Sequence, residues 1–139
     1  MSTFKTSREI PASPAAVFAA IRDPARLARW WGPSGFTNKF DSIEFKPGGK
    51  WSFAMIGPDG KIYRNESVFQ AIEPDQKVVI HHVSAPRFVL TVSLQGTSGG
   101  TLVAWEQVFE DPAVAEAVRP IVEPANEQNL DRLAAEVRR

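Results

Sequence analysis

The sequence predicts an α+β domain: a curved antiparallel sheet of six to seven strands wrapped around a long C-terminal helix, with two short helices after strand 1. Three observations carry this reading. Cap-plus-proline helix starts stand at Ser13-Pro14, Asp23-Pro24 and Asp111-Pro112. From Phe36 to Phe109, turn residues recur at short intervals between runs rich in Val, Ile, Phe, Tyr, Trp and Thr. After Phe109 the apolar pattern changes to helical spacing.

In chain order, residues 3–10 alternate as a first strand. Ser13 is a good N-cap and Pro14 fits the first helical position, and Val17, Phe18 and Ile21 form one stripe. Asp23-Pro24 opens a second short helix through Leu27, Trp30 and Trp31, which Gly32-Pro33 stops. About six strands follow. Their turns fall at Pro47-Gly48-Gly49, Pro58-Asp59-Gly60, Glu73-Pro74-Asp75, Ala85-Pro86 and Ser98-Gly99-Gly100, and Asp59-Gly60 marks the clearest hairpin. Such short connections imply an antiparallel meander. Beyond Asp111-Pro112, Pro120 and Pro124 predict an interrupted helix, since an interior proline costs roughly 3 kcal/mol. The expectation is a short turn near 112–119, then a longer helix from about 124 to 137 with Leu130, Leu133, Ala134 and Val137 inward. Arg132 flanks this stripe, and Glu127, Glu136 and Arg138 are placed on the surface.

A helix of about 14 residues is about 21 Å long. It cannot cover six or seven strands unless the sheet curls around it, and curling leaves space for a cavity. Period-2 alternation identifies the lining. Trp51, Phe53 and Met55 share one face of their strand, and Tyr63, Asn65, Ser67 and Phe69 share one face of the next. Val78, Ile80 and His82 follow, then Phe88, Leu90, Val92 and Leu94, then Val103, Trp105, Gln107 and Phe109. The candidate ligand-binding set is Trp31, Phe40, Trp51, Phe53, Met55, Tyr63, Asn65, Ser67, His82, Phe88, Leu90, Trp105 and Gln107, with Asn126 and Asn129 overhead. A few polar groups among aromatics are what small-molecule pockets present. Each is equally at home in a packed core, satisfied by backbone or buried water.

The 139 residues suit one domain, 1–139. Sixteen basic residues balance sixteen acidic ones, and no basic run marks a nucleic-acid surface. There are no cysteines, which removes disulfides, thiolate catalysis and cysteine-based zinc sites. Lys5, Arg8 and Glu9 break any signal-peptide core, and no apolar run approaches the roughly 18 residues of a membrane span. A cytoplasmic protein with no membrane or nucleic-acid partner is the expectation.

The order of motifs resembles a known family. Pro11-Ala12-Ser13-Pro14 precedes Val17-Phe18, and Asp23-Pro24 and Leu27 lead to Trp30-Trp31. Pro47-Gly48-Gly49 stands before Trp51, and Pro58-Asp59-Gly60 before Tyr63 and Asn65. His82, Pro86 and Phe88 follow, then Gly100-Thr101 before Trp105, and Leu130-Asp131-Arg132-Leu133 in the last helix. Over almost its whole length the chain is similar to homologues of the activator of heat-shock protein 90 ATPase, in the START-like, polyketide-cyclase-like superfamily. The resemblance implies a helix-grip fold and a hydrophobic or aromatic molecule held between sheet and long helix. Co-chaperone activity belongs to longer, multi-domain relatives. Many relatives carry Gly-Trp in the last helix where this chain has Ala125-Asn126-Glu127-Gln128-Asn129, giving a more polar pocket roof.

No phosphate loop is present, because Pro47-Gly48-Gly49-Lys50 joins strands and has no following helix. His81 and His82 are adjacent on a strand and point to opposite faces, so they cannot share a metal ion; no metal or cofactor is expected. No serine sits in a nucleophile elbow. Three functions stay open: a carrier of a small hydrophobic or aromatic molecule, a cyclase- or isomerase-like enzyme with His82 as general acid or base, and a protein-interaction domain using Trp30-Trp31, either as a homodimer or with a chaperone.

Overall fold

The computed structural model describes residues 2–139; Met1 lies outside the described residues. Seven antiparallel strands form one sheet in the order β1-β7-β6-β5-β4-β3-β2. They are β1 (Thr3–Ile10), β2 (Thr37–Ile43), β3 (Lys50–Ile56), β4 (Ile62–Glu73), β5 (Lys77–His82), β6 (Phe88–Thr97) and β7 (Gly100–Phe109). Helices α1 (Pro14–Arg22) and α2 (Pro24–Trp30) follow β1, and α3 (Pro112–Val137) ends the chain. This is the expected curved sheet gripping a C-terminal helix.

The two short helices begin where local chemistry dictates. Ser13 Oγ accepts the Ala16 N–H at 3.2 Å and caps α1. Asp23 serves both helices. Its N–H donates to Ala19 O at 3.1 Å, ending α1, while its Oδ1 accepts from Ala25 N at 2.9 Å, starting α2. One residue thus turns the chain between helices without a loop.

The last helix corrects the expectation of a break. It runs unbroken for 26 residues through Pro120 and Pro124, about 39 Å at 1.5 Å per residue. Each proline removes one backbone donor, which frees the carbonyls of Glu116 and Pro120. Both residues are exposed, so water replaces the missing partner and the penalty is softened. A second apolar stripe holds this half down: Ala115, with Val114, Val118 and Val122, packs on Phe4 and Phe109. Arg119 lies 4.9 Å above the Phe4 ring and pairs with Glu116 and Glu123 on either side of Pro120.

The main core fills the space between α1, α2, the C-terminal half of α3 and the concave sheet face. Leu130 and Leu133 are fully buried there, each worth roughly 1.5–3 kcal/mol. Glu136 departs from its expected surface place and is only 3% exposed. Its carboxylate accepts from Arg26 Nε at 3.0 Å and from Arg29 Nε and Nη2, both at 2.9 Å. These contacts hold its pKa below the ordinary carboxylate range, the Arg29 hydrogen bonds contributing most. The interaction ties the end of α3 to α2.

A carboxyl whose folded pKa is depressed stabilises the fold above its unfolded value and loses that contribution as pH falls through the folded one. Glu136→Gln is therefore expected to lower Tm by on the order of 5 °C at pH 7. The difference should shrink below about pH 4; thermal unfolding followed by circular dichroism at both pH values checks this.

Candidate functional site

Sheet register brings the inward residues into rows. Phe53 pairs with Asn65, and Trp51 with Ser67. Ser67 pairs with His82, His82 with Phe88, and Phe88 with Phe109. Ile80 pairs with Leu90, and Leu90 with Gln107. Above these rows α3 stands off the sheet, and a cavity of about 220 Å³ opens between them. Ligand pockets usually run from about 300 to 1,000 Å³, while an apolar cavity of about 150 Å³ suffices for benzene. The space lies between these two sizes. A larger depression of about 420 Å³ along Ala85–Arg87 and Glu110–Val114 is a shallow surface feature lined by few residues.

Of the sequence candidates, Trp31, Phe53, Met55, Phe88, Leu90 and Trp105 form apolar wall. Asn65, Ser67, His82, Gln107, Asn126 and Asn129 also line the space. Three candidates do not. Trp51 lies deeper in the core, stacked on Phe53 at 4.2 Å. Phe40 on β2 packs edge-on against Trp51 and Phe53. Tyr63 is 45% exposed, and its ring lies against Phe36. It sits near the turn end of the β3–β4 hairpin, past the reach of the covering helix.

Several wall residues were not among the candidates. Ile80 carried the signal, since alternation already turned it inward. Ile121 and Val122 lie on the stretch of α3 that the prolines were expected to disrupt, and Ala125 lies in the first turn of the helix expected from about 124. Gly32, Pro33 and Pro86 belong to the loops at the rim. Gly32 has φ +97°, a backbone conformation that strains any residue with a Cβ, and a Cβ there would also push the end of Met55 aside.

The polar groups divide by what they already bind. Asn129 is turned toward the end of α2: its Nδ2 donates to Trp30 O at 2.9 Å and its Oδ1 accepts from Gly32 N at 3.3 Å. Arg132, expected merely to flank the stripe, is the strongest element missed. Its Nη1 donates to the carbonyls of Trp31, Gly32 and Pro33 at 3.2, 2.9 and 2.8 Å. Its Nη2 donates to those of Arg29 and Phe36 at 2.7 and 2.9 Å. The carbonyls at a helix C-terminus lack intrahelical donors and carry partial negative charge, so a guanidinium fork suits them. Periodicity cannot reveal this, because the acceptors are backbone atoms about a hundred residues away.

His82 is 5% exposed and stacks on Phe88 at 4.6 Å. His81 points the other way, to Glu110 at 3.2 Å. His82 Nδ1 donates to Pro86 O at 2.8 Å, while Nε2 lies 2.7 Å from Asn65 Oδ1 and 3.3 Å from Ser84 Oγ. Burial pushes the ring pKa below its ordinary value, against the Pro86 carbonyl, which favours the charged form. A neutral ring that donates from Nδ1 carries a lone pair at Nε2. Ser84 Oγ–H can donate to that lone pair, but Asn65 Oδ1 cannot. The Asn65 contact is a hydrogen bond when Nε2 is protonated or when the amide is turned to present Nδ2.

With this geometry in view, the comparisons are specific. Residues 11–138 match the family described as activator of Hsp90 ATPase homolog 1-like protein. The chain belongs to this family. Its fold is START-like, as the motif order implies. A crystal structure of a protein from Nitrosomonas europaea is similar at TM-score 0.90 and 17% identity, over 98% of this chain and 94% of that one. A solution structure of a protein from Arthrobacter aurescens reaches TM-score 0.90 at 25% identity, over 99% and 86% of the two chains. An AHSA1-like protein from Aeromonas hydrophila gives TM-score 0.76 at 20% identity, over 98% and 92%. No curated protein matches the sequence. No helix among the described residues is long and apolar enough to cross a membrane.

Two outcomes follow. Arg132→Met keeps the apolar stem but strips the loop carbonyls of their donors; a loss of about 2–3 kcal/mol in urea unfolding is expected. Faster hydrogen exchange at the Gly32 and Ser34 amides should accompany it. For His82 the lowered folded pKa sets the sign. Stability is level above about pH 6.5 and falls below it, because the unfolded chain takes up the proton first. Between pH 7.5 and 5.5 the Tm of the native protein should drop more than that of His82→Gln. Equal drops would refute a buried neutral ring.

Proposed function

We propose that this family member is a binding protein for a small hydrophobic or aromatic molecule, one substituted ring in size, held between the sheet and α3 without metal or organic cofactor. The observation that carries this is the cavity itself: about 220 Å³, walled by Trp31, Phe53, Phe88, Leu90 and Trp105, with amide and imidazole groups on one side. An apolar body with a few polar groups is the usual composition of a small-molecule site. Asn65, Ser67, His82, Gln107, Asn126 and Asn129 are its proposed polar contacts, and the START-like fold supports the same reading.

An enzyme of cyclase or isomerase type, with His82 moving a proton, has less support. Pro86 O holds one ring nitrogen, and Asn65 and Ser84 crowd the other. A general base needs its lone pair within reach of the substrate proton. The protein-interaction reading loses the surface it relied on, because Trp30 and Trp31 are 1% and 9% exposed.

Trp31 and Trp105 report on the cavity. Their fluorescence should change on titration with one-ring aromatics, with Kd in roughly the micromolar to millimolar range, and should not respond to polycyclic compounds. Ala125→Trp, which places an indole over the cavity from α3, should abolish the response and shift Tm by no more than about 3 °C. Retention of ligand binding by a folded Ala125→Trp protein would place the ligand elsewhere.

A further inference from the structure

The cavity wall contains no Lys, Arg, Asp or Glu. A charged ligand would leave water without a counter-ion, at a cost of several kcal/mol. The polar groups that do line the wall are mostly committed to the protein. Asn129 binds the end of α2, and His82 and Asn65 bind Pro86 O and Tyr63 O, with their remaining atoms against each other. The exceptions include the Trp105 indole N–H, buried without a partner, and the pair formed by Gln107 on β7 and Asn126 on α3, which offers donors and an acceptor together. Asn126 Nδ2 donates to Gln107 Oε1 at 3.1 Å. This single bond uses one half of each amide. It leaves the two N–H donors of Gln107 Nε2 and the acceptor Asn126 Oδ1 without a protein partner, on two residues that line the cavity. Gln107 is only 8% exposed, and water in so apolar a space is a poor substitute for a fitted partner.

Resting on the binding reading above, we infer that the site selects an uncharged single-ring molecule bearing a carbonyl or carboxamide. Its oxygen accepts from Gln107 Nε2, and an N–H or O–H on the same group donates to Asn126 Oδ1. The Gln107–Asn126 bond joins β7 to α3, so the same pair that reads the ligand also ties sheet to helix.

Calorimetric titration at pH 7.5 with toluene, benzamide, benzoate and benzylamine tests this. Benzamide should bind, and benzoate and benzylamine should each bind more than about tenfold more weakly. Gln107→Leu should weaken benzamide by about tenfold and leave toluene unchanged or tighter. Benzoate or benzylamine within tenfold of benzamide overturns the inference, as does a benzamide affinity that Gln107→Leu does not weaken. Toluene binding without benzamide also overturns it, but leaves the binding reading standing. If neither toluene nor benzamide binds the folded native protein, both fail. Circular dichroism of Gln107→Leu confirms the fold, and Gln107→Glu, with a carboxylate in place of the donor pair, should weaken benzamide in parallel.

Discussion

Everything at this site depends on where α3 stands, and a polar seam against α2 sets that position. Apolar contact alone is non-directional and would let the helix settle onto the sheet. Arg132, Asn129 and Glu136 supply direction. Arg132 and Asn129 donate to the carbonyls at the end of α2 and along the loop after it, while Glu136 receives Arg26 and Arg29 from the side of α2 itself. Gln128 adds a bond from Ser34 N at 3.1 Å. Leu130 and Leu133, on the same turns, enter the core. The helix is thereby held by its C-terminal half, and its other half passes over the sheet.

The cavity is a consequence of that arrangement. Over β4 to β7, α3 presents Val122, Ala125 and Asn126 to the cavity, side chains smaller than the leucines that fill the core further along the helix. The carbonyls that Pro120 and Pro124 free belong to Glu116 and Pro120, both exposed residues. The far end of α3 is secured again by the Phe4, Phe109 and Ala115 cluster. A helix fastened at both ends and lined with small residues in the middle bridges an opening instead of filling it. The rim loop on the other side is Trp31 to Phe36, the segment Arg132 holds. Fold stability and access to the cavity therefore share residues.

The polar side of the cavity follows from chemistry as much as shape. Buried amides and imidazoles are tolerated where their hydrogen bonds are met. Asn129 and His82 meet theirs largely within the protein, which makes them supports for the wall. Gln107 and Asn126 meet theirs halfway, and the Trp105 indole N–H has no partner, so bonding capacity remains at these groups. The absence of charge around them sets a limit on what can enter that the size of the cavity alone does not.

Much of the architecture was legible because it depends on local chemistry. Ser13-Pro14 and Asp23-Pro24 start helices wherever they stand before an apolar stripe. Asp59-Gly60 turns a hairpin, and alternation through Trp51–Met55 and Phe88–Leu94 indicates which side chains face inward, while Ala104 and Val108 left Val103–Phe109 ambiguous until the register settled it. Most of the cavity wall followed from that period of two. Trp51, Phe40 and Tyr63 did not reach the wall, because alternation gives a face but not a depth or a distance from the covering helix. The unbroken α3 was hidden because proline's cost depends on whether the freed carbonyl meets water, a property of exposure and not of sequence spacing. Arg132 and Glu136 read as ordinary surface charges. Their partners are backbone carbonyls and arginines that come near only once α2 and α3 are packed. The sequence by itself determined the elements, their order and their inward faces, since these arise from dihedral preference and periodicity over a few residues. The tertiary structure alone decided where α3 stands, which polar groups are satisfied and which are not, because those depend on contacts between residues from about twenty to about a hundred positions apart.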